Sequence, residues 1–422
     1  MNESVRRARE VALGILQPSE RDLAHGLELH ANSVVVDAYG FSPSSAVDGE
    51  AVKAAVEAGA SDSELQDLLE DMRMTRCVTD AREREEFVGA WEAAGVNCIV
   101  QNSGEEGQAV DRLLKRLARF TYLTDMMPEV VSKAVRPADI LATGKAGKRC
   151  LYFTGNGVPL AQSWESAESE LRYIRTFFEL GIRMMHVTYN RRNMLGDGCA
   201  EPANGGLSDL GRMAIAEMNR VGVIVDVAHS GWQTSLEAAR ASSRPMVASH
   251  SGCCAVNVHA RFKPDEVIRA IVDTGGYLGI CCVPAFLGRS GDINALLDHI
   301  DHVVKTFGAD HVAIGTDTAY TSSFAGAENA KIPARRRQRS RFENFWPPKD
   351  PLFSPEWQKP HMSQSLAWTN WPLFTVGMVQ RGYSDEDIQK VLGGNVVRVA
   401  EEVLSSGAYA PLPAGKGNAA SA

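Results

Sequence analysis

The chain has 422 residues, is 44% hydrophobic and carries a formal net charge of −8. That is apolar material for a full core, either in one decorated β/α barrel or in two or three smaller domains. The acidic balance argues against nucleic acid as a bulk partner, and no apolar run of about 18 residues exists to span a membrane.

Residues 1–32 read as a helical lead-in. The opening MNESVRRAREVALGILQPSERD has charges through its first half and no apolar centre followed by a small-residue cleavage site. It predicts an amphipathic helix, no secretion signal and a cytoplasmic location. Eight short apolar runs follow, at 33–37, 96–100, 150–153, 183–188, 223–227, 245–249, 277–281 and 311–316. Amphipathic stretches separate them, among them 168–180, 208–220 and 293–307. Near-continuous apolar strands alternating with helices mark a parallel sheet covered on both faces. Eight such units predict closure into a (β/α)8 barrel, an α/β fold of one domain over residues 1–406. An insertion is expected at about 318–373, after the eighth strand. GYSDEDIQKVLGGNVVRVAEEVL predicts a capped helix, a Gly-Gly-Asn turn and a second helix, and residues 407–422 predict a disordered tail. The eight cysteines (77, 98, 150, 199, 253, 254, 281 and 282) form no CxxC pair and are expected to be reduced core residues.

In such a barrel, functional residues sit where the strands end in the loops of the C-terminal face. The fifth run ends in VDVAHS, placing His229 there; the sixth ends in VASHSG, placing His250; the eighth ends in AIGTDTAY, placing Asp317. A lone strand-end histidine is usually a structural hydrogen-bonder. Two imidazoles and a carboxylate at three strand ends form a set that binds a transition metal. The other histidines are weaker candidates. His299, His302 and His311 fall on or near a helix, as surface or packing residues. His186, on the strand face opposite Tyr189 by alternation, is expected to pack outward. His259 is placed to touch substrate, and His361 has no assigned place.

With these residues in view, the chain resembles the renal (membrane) dipeptidase family of the amidohydrolase superfamily, from about Ser33 to Leu404. The segments that carry the resemblance include ELGIRMMHVTYN, GGLSDLGRMAIAEMNRVGVIVDVAHS, PMVASHSG, HARFKPDEVIRAI and HIDHVVKTFGADHVAIGTD. The resemblance implies a β/α barrel that hydrolyses dipeptides with two zinc ions, and a homodimer. His229 and His250 match the histidines of one zinc, Asp317 the catalytic aspartate, and Arg261 an arginine that grips the substrate carboxylate. Four positions depart from the family. Tyr39 and Phe41 stand where a His-x-Asp ligand pair is expected on the first strand. Thr154 stands nearest to a glutamate that bridges both zincs, and Tyr189 replaces a substrate-polarising histidine.

Without the bridging carboxylate the second zinc has no evident home. Two histidines and one carboxylate with open positions are also the ligand set of many non-haem iron oxygenases. The leading expectation is therefore a non-haem iron monooxygenase, similar in outline to diiron enzymes related to this barrel. It would act on a small organic or CoA-linked acyl substrate. Its metal ligands would be His229, His250 and Asp317, with Asp37 and Glu105 (or Glu106) for a second iron. Tyr39 and Tyr189 would work beside Asp317 in the site, and Phe41 and Thr154 would line it. Arg261 would contact an anionic group, and Arg335 and Arg336, in the 335–341 basic cluster, would hold phosphates. That cluster reads more readily as a solvated charge run, and Trp346, Trp357, Trp368 and Trp371 as the apolar core of a lid. The alternative is a zinc-dependent, dipeptidase-like amide hydrolase with a degenerate metal site. A catalytically dead scaffold is disfavoured because both histidines and Asp317 remain.

Overall fold

A computed structural model gives the structure, which describes residues 2–105, 110–334 and 340–407. The apolar runs form parallel strands β1 (Val36–Gly40), β2 (Cys98–Glu105), β4 (Arg149–Asn156), β5 (Met184–His186), β6 (Ile224–Asp226), β7 (Ala248–Ser251), β8 (Leu278–Ile280) and β9 (Val312–Ile314). A further strand, β3 (Val131–Ala134), was not expected: VSKA is short and only half apolar. It pairs with the lower part of β4, from Arg149 to Tyr152, while β5 takes the upper part at Thr154 and Gly155. Hydrogen-bonded order runs β1-β2-β4-β5-β6 and, separately, β7-β8-β9.

Two seams close the ring. Val247 N donates to Val225 O at 2.9 Å and Val227 N to Val247 O at 2.8 Å, joining β6 to β7. Asp317 N donates to Tyr39 O at 3.0 Å, joining the end of β9 to β1. The result is the expected eight-stranded barrel. Its interior is filled from the barrel strands and the residues that lead into them, with Val36, Val100, Tyr152, Met184, Ile224, Val247, Tyr277 and Ala313 in one apolar cluster. Val396, Val399 and Val403 of the last helix, Asn395–Gly407, close its lower end.

The helices start and stop where their side chains allow. Helix Asp209–Val221 opens on Ser208, whose Oγ accepts from Gly211 N, and ends at Gly222 in the left-handed region at φ 96°. That tight exit returns the chain to β6 and so delivers His229 to the barrel mouth. Near the C-terminus the expected Gly-Gly-Asn turn is absent. Helix Asp385–Gln389 runs through a π-helical passage, Lys390–Gly394, directly into Asn395–Gly407. Gly393 packs so close under β1 that a Cβ would lie 2.5 Å from Val34 O, and Asn395 Nδ2 donates to Ala309 O and Val312 O. The wider π turn fits the backbone to that contact.

The lead-in forms two helices, Glu3–Leu16 and Glu20–Ala31. The segment after β9 is a series of short helices; Phe345 and Trp346 from it reach the barrel mouth, while Trp368 and Trp371 are buried in the core. All eight cysteines are free. Among the described residues no helix is long and apolar enough to cross a membrane. Residues 408–422 of the expected tail, with Glu106, Arg335 and Arg336, lie outside the described residues.

Candidate metal centre

The centre is built on three adjacent strand ends. His186 is the last residue of β5 and pairs in register with Asp226, the last of β6; His229 follows three residues later, and His250 lies in β7. All three histidines are buried, and one ring nitrogen from each lies within 4.8 Å of the others. His229 Nε2 and His250 Nε2 are 2.9 Å apart.

Partners on the far side of each ring set its tautomer. His229 Nδ1 lies 2.8 Å from Asn190 Oδ1, an atom that only accepts, so the proton is on Nδ1 and the lone pair on Nε2. His186 Nδ1 lies 3.1 Å from Gly155 O, which fixes the same tautomer. His250 Nδ1 contacts Ser249 Oγ at 2.8 Å. Burial, reinforced by the charge of Arg261, pushes the pKa of His229 and His250 well below the usual histidine value. Burial also lowers that of His186, against the opposing pull of Asp226. All three are neutral imidazoles, the form that binds metal.

Asp226 ties the strands together. Its Oδ1 accepts from Ala228 N at 2.9 Å and Ser249 N at 3.1 Å. Its Oδ2 lies 3.1 Å from His186 Nε2, yet neither atom makes an aligned hydrogen bond.

Arg261 is buried against this group. Its Nη1 donates to Ala228 O, its Nη2 donates to His250 O at 3.2 Å, and Nη2 lies 3.5 Å from His229 Nε2. Among the described residues no carboxylate pairs with it, and its buried Nε has no hydrogen-bond partner. A buried guanidinium that makes no ion pair can receive an anion. Asp317 follows β9 at φ 55°, and Asn190 follows β5 at φ 58°. Non-glycine residues held in the left-handed region cost energy and cluster at functional sites. The Asp317 carboxyl is partly open to the mouth but enclosed enough that burial pushes its pKa up to about 6, with Arg261 pulling the other way.

Aromatic rings cover the remaining sides. Tyr39 stacks on His250 at 3.7 Å between centroids, with Phe41 edge-on to it at 5.9 Å. Tyr189 lies over His229 at 4.2 Å, and Phe345 meets Tyr189 edge-on at 5.3 Å. His259 packs on Phe286 and Trp346.

The structure thus brings His229, His250, Arg261, Tyr39 and Tyr189 together, and with them residues that sequence reasoning missed. His186 faces inward, not outward. The chain leaves the strand after His186, so alternation counted back from Tyr189 does not apply and both side chains reach the mouth. Asn190 and Asp226 also belong to the site, although nothing but their place within VTYN and VDVAHS marks them.

Other expected residues stand apart. The four lone-pair sites of the Asp37 carboxylate are taken up. Oδ1 accepts from Thr316 N at 2.9 Å and Tyr39 N at 3.4 Å, and Oδ2 from Thr316 Oγ1 at 2.6 Å and Trp368 Nε1 at 3.0 Å. It braces β1 against β9 and does not join the metal group. Asp317 is likewise not among the ligand atoms that converge. Thr154 is fully buried and its hydroxyl donates to Met184 O at 3.0 Å, so it is occupied with the backbone. The backbone of Glu105 pairs with Asn156 at the end of β2, while its side chain lies outside the described residues.

Comparison with known proteins gives this site a lineage. A family model described as membrane dipeptidase (peptidase family M19) matches residues 28–332. The chain belongs to the membrane dipeptidase family. It is similar to dipeptidase tcpJ of Claviceps purpurea, 25% identical over 287 residues that cover 67% of this chain and 57% of that protein. It is also similar to dipeptidase verJ of Clonostachys rogersoniana, 26% identical over 234 residues that cover 54% and 50%. The chain therefore spans about half the length of these curated relatives.

Among solved structures it resembles an amidohydrolase from Pseudomonas aeruginosa, with TM-score 0.64, 23% identity, and 90% and 99% of the two chains covered. The probable dipeptidase PvdM of the same organism gives TM-score 0.63 at 18% identity, covering 92% and 99%. A metallopeptidase from Rhodobacter sphaeroides, bound to a phosphinate mimic of the dipeptide L-Ala-D-Ala, gives 0.60 at 16%, covering 88% and 100%. At these identities the structures speak for the shared barrel.

The family match and the dipeptidase relatives overturn the expected iron monooxygenase and its CoA-linked substrate. Two histidines and a carboxylate are common to many metals, and aromatic neighbours do not by themselves imply oxygen chemistry. Among the described residues the donor set does not fit two ions. Tyr39, Phe41, Thr154 and Tyr189 stand where the resemblance puts ligands or polar groups, and the Asp37 carboxylate is occupied. One ion suits the neutral imidazoles that remain.

Proposed function

We propose that this membrane dipeptidase homologue is a single-metal amide hydrolase acting on small dipeptide-like substrates. The observation that carries the reading is the pair of buried imidazole nitrogens 2.9 Å apart beside the guanidinium of Arg261, whose buried Nε has no hydrogen-bond partner. Metal and substrate-carboxylate receptors thus lie side by side. The names of the relatives and the dipeptide mimic bound by the Rhodobacter sphaeroides metallopeptidase support the substrate class.

His229 and His250 would hold the ion, zinc by the resemblance. A zinc ion there would act as a Lewis acid, making water nucleophilic at neutral pH and polarising the amide carbonyl. Arg261 binds the substrate's terminal carboxylate through its unpartnered Nε, which fixes the amide relative to the histidines. Asp317, ionised at neutral pH but more basic than an exposed aspartate, accepts a proton at its carboxylate and returns it to the leaving amine. Tyr39, Phe41, Tyr189 and Phe345 line the mouth and exclude bulk water, which strengthens these charged contacts.

The test is a panel of dipeptides incubated with protein reconstituted with zinc. Release of amino acids that stops on chelation and resumes on zinc addition is the expected result. A fully zinc-loaded protein that cleaves no peptide or acyl-amine bond in the panel refutes the proposal.

A further inference from the structure

We infer that His186 is a third ligand of the metal, aligned by Asp226, so that this chain holds its ion in a one-metal, three-histidine site. The inference rests on the metal-dependent reading above and adds a ligand and a coordination number to it.

Four observations converge. His186, His229 and His250 each place a ring nitrogen within 4.8 Å of the other two, the separation from which three imidazoles close on one ion. Gly155 O and Asn190 Oδ1 take the Nδ1 protons of His186 and His229, so both rings present a bare Nε2. His186 Nε2 is fully buried and has no aligned hydrogen-bond partner, although an Asp226 oxygen lies 3.1 Å away. Two lone-pair atoms at that distance, out of water and without a proton in line, repel each other; a cation beside them removes that cost. Finally, the His186 ring sits 5.4 Å between centroids from both His229 and His250, completing a triangle.

The rival account is a buried histidine–aspartate ion pair that only joins β5 to β6. Such a pair would align its N–H on the carboxylate, and this one does not. Asp226 already has a structural duty through Oδ1, which leaves Oδ2 to act on His186. A carboxylate next to a ligating imidazole orients it and raises its basicity. The arrangement also explains how a barrel that presents Tyr39 and Phe41 at the end of β1 still holds a metal. The third donor comes from β5, beside the two that persist.

The decisive measurement uses the wild-type protein. X-ray absorption at the zinc edge of the one-to-one zinc complex is expected to count three imidazole nitrogens; a count of two overturns the inference. Variants then identify the third. His186→Cys, loaded with cobalt(II), is expected to gain a near-ultraviolet thiolate-to-metal charge-transfer band that wild type lacks. A folded His186→Cys protein that binds cobalt without that band overturns the inference. His186→Ala should lose more zinc affinity than the roughly 10–100-fold typical of removing a partner of a ligand, and Asp226→Asn should fall within that range. These readouts are independent of turnover. Three imidazoles with no peptide cleavage would sink the hydrolase reading and keep the site. Cleavage with two imidazoles would do the reverse.

Discussion

The two sides of the barrel mouth are built from the same parallel strands and buried alike, yet their chemistry differs. On the β5–β7 side, His186, His229 and His250 converge, each steered by a fixed partner: Gly155 O, Asn190 and Ser249. On the β1–β4 side, the Asp37 carboxylate accepts from Thr316, Tyr39 and Trp368, the Thr154 hydroxyl donates to Met184 O, and Tyr39 covers His250 as a stacked ring. Barrel stability comes from backbone pairing and the filled interior, and the site from a few residues at strand ends. One side can therefore exchange metal donors for aromatic rings and leave the fold intact. The polar groups kept on that side serve the architecture.

The largest effect expected from this contrast is on Asp317, which belongs to the working mouth though not to the converging ligands. Asp317→Asn keeps the shape and removes the proton acceptor. The dipeptide-cleaving rate kcat is expected to fall by roughly 10²–10⁴-fold, the usual contribution of a positioned acid–base group. Zinc content should stay at one equivalent. Elemental analysis beside steady-state kinetics decides: loss of zinc in this variant would make Asp317 a ligand and blur the division between the converging histidines and the rest of the mouth.

Asp37 is the matching test on the other side. In Asp37→Asn, the amide nitrogen must face Thr316 or Trp368, both donors, and a buried hydrogen bond is replaced by two opposed donors. The expected loss is about 2–3 kcal/mol of folding stability, read from urea unfolding. Zinc stoichiometry and turnover per folded molecule should be unchanged. If Asp37→Asn instead loses zinc at unchanged stability, the β1 side takes part in metal binding after all.

The sequence made one side of this contrast far easier to read than the other. The barrel was legible because eight apolar runs alternating with amphipathic stretches have few other ways to bury themselves, and His229 and His250 because they end two of those runs. β3 was hidden because Ser132 and Lys133 break its apolar pattern, and its partner is only the lower half of β4. His186 was misassigned because alternation was carried past the end of β5. Asn190 and Asp226 act by holding tautomers and strand ends, a role set by hydrogen bonds and not by residue type. The oxygenase expectation read two histidines and a carboxylate, with the family's first-strand ligands gone, as an iron site, and the family match overturns it.

The last effect, one of pH and not of shape, concerns the support beneath the histidine side, where a lysine is enclosed. Lys263 is fully buried; its Nζ donates to Ser230 O at 2.6 Å and to Ser235 Oγ at 3.2 Å, next to His229 in the chain. Burial lowers its pKa to about 7 from the ordinary 10.5. Between those values the unfolded chain carries a proton that the folded one has released, so stability must rise with pH across that window. One such proton contributes at most about 1.4 kcal/mol per pH unit. Other groups titrate in the same range, so the quantity to follow is the stability difference between wild type and Lys263→Met, measured by urea unfolding from pH 7 to 9.5. The difference should shift in favour of wild type as pH rises. A flat difference would mean that Lys263 stays charged inside the fold, with Ser230 O and Ser235 Oγ stabilising an ammonium. The histidine side would then rest on a permanent buried charge, and its electrostatics would be set by two fixed cations, Arg261 and Lys263, rather than by Arg261 alone.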